Sequence, residues 1–348
     1  MADKKILIVY TGGTFGMDPS PLKIPDLSPE LLRKRILTHV PELEKLARCE
    51  VDVAMNRDSA HVGPSDWIAL ADRVRKAWKK YDGVVILHGT DTLAYTASAL
   101  SFLLRPCLKP VILTGAQRPL AAIRTDARSN LISAVEIAAQ ARASVAKQVS
   151  IYFDDRLLQG NRARKRSALE FAAFECPKAE PLAVVGTSIR YRETGAESGR
   201  GVRKALAKVA GLELQPKFSE RVATLHVTPG FPSHAFDERF FASIDALVLV
   251  VFPSGTAPTH DLKFIEMLKL ARKNQVPVVV VTEGVGSHSS EYAAGKILLK
   301  EGCHWAGAMT PECAFVKASL LMGQPAALQA FSRLWRVDLA EEGAGSTA

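Results

Sequence analysis

The sequence predicts a two-domain α/β protein, with a larger N-terminal domain built on a mostly parallel sheet flanked by helices and a smaller α/β C-terminal domain. Three observations carry this. The chain has 348 residues, more than one hydrophobic core usually serves. Short apolar runs rich in β-branched residues alternate with helical stretches, as in a sheet covered on both faces. Near residue 190 the pattern lapses into RYRETGAESGRGVRKALAKVAG, charged and glycine-containing, before alternation resumes. The expected domains are 1–187 and 222–348, joined by a linker over 188–221.

Taken in order, Ile6–Tyr10 is a short apolar run stopped by Gly12 and Gly13, which fits a buried parallel strand. Pro19, Pro21, Pro25 and Pro29 follow. A regular helix is not expected to begin there, and a mobile segment after the glycine turn is. Cys49–Met55 reads as a strand, and Ser65–Lys80 as an amphipathic helix capped by Ser65 after Pro64. Gly83–Leu87, Pro110–Thr114 and Val149–Phe153 are strands. Between them lie an apolar helix, Leu93–Leu104, stopped before Pro106, and a helix over Asp126–Ala141 capped by Thr125 or Asp126. Beyond the linker, Val222–Val227, Ala246–Phe252 and Pro277–Thr282 read as strands, and His260–Lys273, Glu291–Lys300 and Pro311–Met322 as helices. The tail Glu341–Ala348 reads as disordered.

Composition narrows the class. Hydrophobic residues make up 47% and charged residues 23%, which is ordinary for a soluble globular protein. No apolar run reaches the roughly 20 residues that a membrane helix needs, and the N-terminal run is too short for a signal peptide. A cytoplasmic location and no membrane partner are therefore expected. Five cysteines without a C-x-x-C pair and eight histidines without H-E-x-x-H argue against a disulfide framework, a metal or a cofactor. A net charge of +9 raises an RNA partner. The basic residues are dispersed, however, with Arg162, Arg164, Lys165 and Arg166 the densest group and no aromatic-rich signature beside them. A solvated basic surface, with no nucleic-acid partner, is the expectation.

In an open parallel sheet, ligands sit beyond the carboxyl ends of the strands. Those ends deliver Thr11-Gly12-Gly13-Thr14, then His88-Gly89-Thr90-Asp91-Thr92, then Gly115-Ala116-Gln117-Arg118, then Asp154 and Asp155 with Lys165 beyond Gly160. Gly12, Gly13 and Gly16 do not make a phosphate loop, which needs a Lys-Ser or Lys-Thr pair, nor the G-x-G-x-x-G dinucleotide motif. What remains is a set of hydroxyls, amides, carboxylates and one lysine. From the residues alone, Thr90 could equally cap the following helix, Asp91 face its dipole and Lys165 belong to a solvated run.

TGGT, HGTDT, TGAQRPL and GNRARK, in this order, resemble the L-asparaginase family, most closely its cytoplasmic bacterial branch. The resemblance implies hydrolysis of L-asparagine to L-aspartate and ammonia through a threonine acyl-enzyme. Thr14 matches the first nucleophile, and Thr90, Asp91 and Lys165 match the second Thr–Asp–Lys constellation. Ser59, in RDSAHVGPSDW, matches the serine that holds the substrate α-carboxylate. Asp91 also matches the group on the α-ammonium, and Ala116 the backbone carbonyl near the amide nitrogen. Gly13, Asp58 and Gly89 complete the implied substrate-binding set. A homodimer or homotetramer is implied as well.

Three departures stand out against the family pattern. Lys23 falls where many members have a loop tyrosine, Ala60 where a polar residue follows the serine, and His61 where an aspartate is frequent. In the second domain, Val250 and Gly284 stand at positions associated with an arginine and a cysteine of an allosteric asparagine site, so a hyperbolic rate law is expected. Two rival functions are a subunit of a tRNA-dependent amidotransferase and a non-catalytic amino-acid-binding homologue. A strand beginning near residue 4 leaves no room for the former's extra N-terminal domain.

Overall fold

Strand Lys5–Gly12 (β1) is buried from Ile6 onward, as its unbroken apolar run requires. The computed structural model describes residues 3–20, 22–140, 142, 147–192, 214–284, 293–325 and 327–343. The chain divides into two compact bodies, Met1–Thr194 and Gly195–Ala348.

In the first body a small hairpin, Asp18–Pro19 (β2) with Leu22–Lys23 (β3), follows β1 and leads to helices Pro29–His39 (α1) and Leu43–Leu46 (α2). Alternation then runs through Arg48–Arg57 (β4), Pro64–Ala77 (α3), Gly83–Leu87 (β5), Leu93–Leu103 (α4), Val111–Thr114 (β6), Ala127–Gln140 (α5) and Val149–Phe153 (β7). Arg156–Gln159 (β8), a second hairpin of Arg164–Lys165 (β9) and Phe174–Glu175 (β10), then Ala183–Val185 (β11) and Ile189–Tyr191 (β12) finish it. Among the described residues the sheet order is β12-β11-β8-β7-β6-β5-β1-β4. Strands β4, β1, β5, β6 and β7 are parallel, while β8, β11 and β12 add antiparallel partners at one side. The chain leaves β1 for β4 on one side, then crosses to β5 on the other. The crevice beyond the carboxyl ends of β1 and β5 is therefore the topological switch point, where open α/β sheets bind ligands.

The second body holds Val222–His226 (β13), Glu238–Ser243 (α6), Ala246–Val251 (β14), Leu262–Lys273 (α7), Val278–Thr282 (β15), Ala293–Lys300 (α8), His304–Trp305 (β16), Pro311–Met322 (α9) and Ala327–Trp335 (α10). Its described strands form a parallel sheet in the order β13-β14-β15-β16. The expected two-domain α/β class is the observed one.

Four local expectations need correction. The prolines after Asp18 do not keep the chain irregular. Pro29 occupies the first turn of α1, where its missing N–H costs nothing, and the Ser28 hydroxyl accepts the Leu31 N–H. Helix α3 starts one residue early on the same principle. Pro64 is its first residue, Gly63 stands at the cap, and the Asp66 carboxylate accepts the Gly63 N–H at 3.0 Å. The expected linker begins too soon, because β12 pairs with β11 as an edge strand of the first sheet. Residues 193–213 of that stretch lie outside the described residues.

The fourth correction concerns the tail. Residues 344–348 lie outside the described residues, but Glu342 is fully buried against an equally buried Lys317 of α9. The Lys317 ammonium donates to Glu342 Oε1 at 2.6 Å and to the carbonyls of Trp335 and Val337. Burial pushes the Glu342 carboxyl up, but Lys317, Asp338 and the Ala340 N–H more than offset it and hold it well below the usual carboxylate range. Glu342→Gln removes the counter-charge from a buried ammonium and is expected to cost about 3–5 kcal/mol, read as a lower urea midpoint of the second body at pH 7. Replacing both groups, Lys317→Met with Glu342→Leu, should restore most of the loss. Because the folded value lies below the ordinary 4.5, the pair's contribution is full above that pH and fades as pH falls beneath it.

Candidate active site

Glycine lets three strand-end segments meet backbone to backbone. Gly13 adopts φ +76°, and a Cβ on it would lie 2.3 Å from Gly89 Cα. A Cβ on Gly89 would lie 2.7 Å from Ser59 Oγ. No other residue type fits either place. The Gly13 N–H also donates to the Arg57 carbonyl at 3.1 Å. The segments after β1, β4 and β5 are thus in register at the switch point, and Thr14, half-buried, opens the short turn Thr14–Gly16 beside Gly13.

Lys165 reaches this point from 75 residues away. Its Nζ donates to Thr90 Oγ1 at 2.8 Å and to Asp91 Oδ1 at 2.6 Å. The Lys165 side chain is 19% exposed, whereas Asp91 exposes 67% of its own, which leaves carboxylate surface free for a ligand cation. Thr90 does not cap α4. The cap position belongs to Thr92, whose hydroxyl donates instead to the Ser59 carbonyl at 2.7 Å. Since Thr90 Oγ1 accepts from Lys165, its own proton points elsewhere, available to a bound acceptor.

The loop after β6 closes on the same place. A Cβ on Gly115 would lie 2.4 Å from the His88 carbonyl, so the two strand-end loops touch. The buried Asp126 carboxylate accepts the backbone N–H groups of Gln117, at 2.9 and 3.1 Å, and of Arg118, at 3.0 Å. One helical turn on, Asn130 Nδ2 donates to the Gly115 carbonyl at 3.0 Å and to Asp126 at 3.2 Å. Burial raises the Asp126 carboxyl, and these donors offset only part of the rise. The Leu120 N–H donates to the Phe15 carbonyl, tying this loop to the turn that carries Thr14.

Beneath the site His88 is a neutral strut. It is fully buried, and burial pushes it down to about 4. Its Nδ1–H donates to the Gly89 carbonyl at 2.8 Å, which fixes the tautomer. Nε2 then accepts from the Thr96 hydroxyl, which accepts in turn from Trp67 Nε1.

The structure brings Gly13, Thr14, Ser59, Gly89, Thr90, Asp91 and Ala116 onto the loops after adjoining strands, and Lys165 reaches Thr90 and Asp91 from the separate β9–β10 hairpin. Asp58 stands beside Ser59, and its carboxylate accepts the Ala60 N–H and caps the turn Ser59–His61. Ala60 and His61 are exposed, and so is Lys23 on β3, paired with Asp18. Sequence reasoning missed Thr92 and the Asp126–Asn130 pair. The signal for the pair was a carboxylate and an amide four residues apart at a helix start, directly after a strand-end loop. Among the described residues no group of three His, Cys, Asp or Glu side chains is placed to hold a metal ion, and no helix is long and apolar enough to cross a membrane.

Two family models match successive parts of the chain. Residues 5–196 match the family model described as Asparaginase, N-terminal, and residues 221–334 the one described as Glutaminase/Asparaginase C-terminal domain. L-asparaginase 1 of Escherichia coli (strain K12) is 34% identical over 330 residues, 93% of each chain. The solved thermostable L-asparaginase from Thermococcus kodakarensis superposes with a TM-score of 0.83 at 28% identity, over 98% of this chain and 100% of that one. A glutamyl-tRNA(Gln) amidotransferase subunit of Aeropyrum pernix is 31% identical over 98% of this chain and 80% of its own.

Proposed function

The chain belongs to the asparaginase family, and on that premise we propose that it is a cytoplasmic, homo-oligomeric L-asparaginase that works through a threonine acyl-enzyme. The observation that carries the reading is Lys165, bonded at once to Thr90 Oγ1 and Asp91 Oδ1 beside the glycine contact of Gly13 with Gly89. Thr14 Oγ1 attacks the side-chain amide carbon of asparagine. The C–N bond breaks, the nitrogen gains a proton and ammonia leaves. Water then attacks the ester, frees aspartate and returns the Thr14 hydroxyl. Ser59 holds the α-carboxylate, Asp91 the α-ammonium, and the Ala116 carbonyl accepts from the amide nitrogen. Thr90, with Lys165, carries protons. Such a relay supplies typically 10²–10⁴-fold in general acid–base catalysis.

Saturation curves with L-asparagine and L-glutamine test the reading. Glutamine is one methylene longer, a difference worth roughly 10–200-fold in a fitted pocket. Asparagine should be preferred, with glutamine detectably turned over and the asparagine curve hyperbolic. Val250 is buried in β14 and Gly284 lies against Pro253, so neither offers a charged anchor for an effector carboxylate. Equal kcat/KM for the two amides would count against the fitted pocket. The similarity to the Aeropyrum pernix protein supports a second reading, tRNA-dependent amide transfer. Hydrolysis of asparagine at an unchanged rate with and without tRNA separates the two.

A further inference from the structure

We infer that Gln117 is a positioning residue, one that ties the Ala116 carbonyl and the Lys165 hairpin into a single register. The inference rests on the asparaginase reading of Ala116 and Lys165. Gln117 does two separate things. Through its backbone it fixes the peptide it shares with Ala116. That peptide is planar and its N–H is held on Asp126 at 2.9 and 3.1 Å, so the Ala116 carbonyl points away from Asp126. Through its side chain it reaches the β9–β10 hairpin. Nε2 donates to the Ser167 carbonyl at 3.2 Å and to the Glu170 carbonyl at 3.1 Å, which uses both of its protons.

The hairpin needs such a tie. Its strands pair Lys165 with Phe174 and Arg164 with Glu175, and the Arg166 N–H adds one bond to the Ala173 carbonyl at 2.8 Å; a hairpin this short is marginal by itself. Its tip stands in solvent, with Leu169 93% exposed. The tip has some order of its own. Ser167 Oγ accepts the N–H groups of Leu169 and Glu170, and Arg166 Nε donates to the Ala172 carbonyl. These bonds shape the tip but run within it. The Gln117 carboxamide links it to the loop after β6, and Ser167 is two residues from Lys165. Loss of that link frees the direction in which Lys165 leaves its strand.

Gln117→Met keeps the length of the side chain and removes its donors. Amide hydrogen exchange in 167–171 should quicken by about 10-fold or more while the amides of β5 and β6 stay unchanged. The kcat on L-asparagine should fall by about 10-fold with KM within about twofold, since misplacement acts on the reacting geometry. In a Lys165→Met background, Gln117→Met should cost nothing further. Gln117→Glu, which presents a carboxylate to two carbonyl oxygens, should lower kcat more than Gln117→Met does. Unchanged exchange in both variants, or the same fractional loss of kcat in the Lys165→Met background, overturns the inference. If Lys165→Met alone keeps full activity, the catalytic reading of Lys165 fails, while the exchange data still decide whether Gln117 holds the hairpin.

Discussion

Thr14→Ala is expected to lower kcat on L-asparagine by roughly 10³-fold or more, the scale seen when a nucleophile that acts within a unit is removed. The substitution deletes the hydroxyl that would carry the acyl group, and alanine offers nothing in its place. The fold should survive, because the local backbone is set by others. Gly12 and Gly13 hold φ of +113° and +76°, the Gly13 N–H is bonded to Arg57, and the Leu120 N–H is bonded to the Phe15 carbonyl. Binding should also survive, since Ser59 and Asp91 stand on other strand ends. Calorimetry should therefore find L-asparagine bound to a variant that no longer releases ammonia. Thr14→Ser, which keeps a hydroxyl, should retain measurable turnover. A Thr14→Ala protein with kcat near wild type would remove Thr14 from the chemistry altogether.

Lys165→Met is expected to be nearly as damaging. It keeps most of the apolar stem and removes the group that bonds Thr90 and Asp91 together. If Thr90 and Lys165 pass protons as one unit, Thr90→Val should cost about as much as Lys165→Met, and the double variant little more than either. Independent residues would instead give losses that multiply. The kcat of the two single variants and the double, measured at saturating asparagine, decides this.

Much of the frame of the candidate site is legible in the sequence because all of its parts but Lys165 follow strands that the apolar runs mark. Gly83–Leu87 and Val149–Phe153 were bounded correctly to the residue, as fully buried parallel strands give an unbroken apolar run. Reading what lies just past each run then found Thr14, Thr90, Asp91 and Ala116. Elements without such a run were missed. Strand β8 is RLLQ with its first residue exposed, and β11 is AVV with Val184 37% exposed, so neither has a distinctive pattern. Helix α1 was hidden because prolines signal breaks more often than first turns. The partners of Lys165 could not be read from spacing, since a bond across 75 residues is set by tertiary packing. The same holds for Asp126, whose carboxylate serves a loop nine residues upstream.

The measurement that tests the central claim most directly is to trap the acyl-enzyme. The protein is mixed with excess L-asparagine, quenched in acid during steady-state turnover, digested and mapped by mass spectrometry. An ester should be found on the peptide that spans residues 6–17, heavier by one aspartyl group, with fragmentation placing the addition on Thr14. It should be absent from Thr14→Ala and should disappear when asparagine is exhausted. Ammonia release with an ester on Thr90, or on neither threonine, would contradict the account.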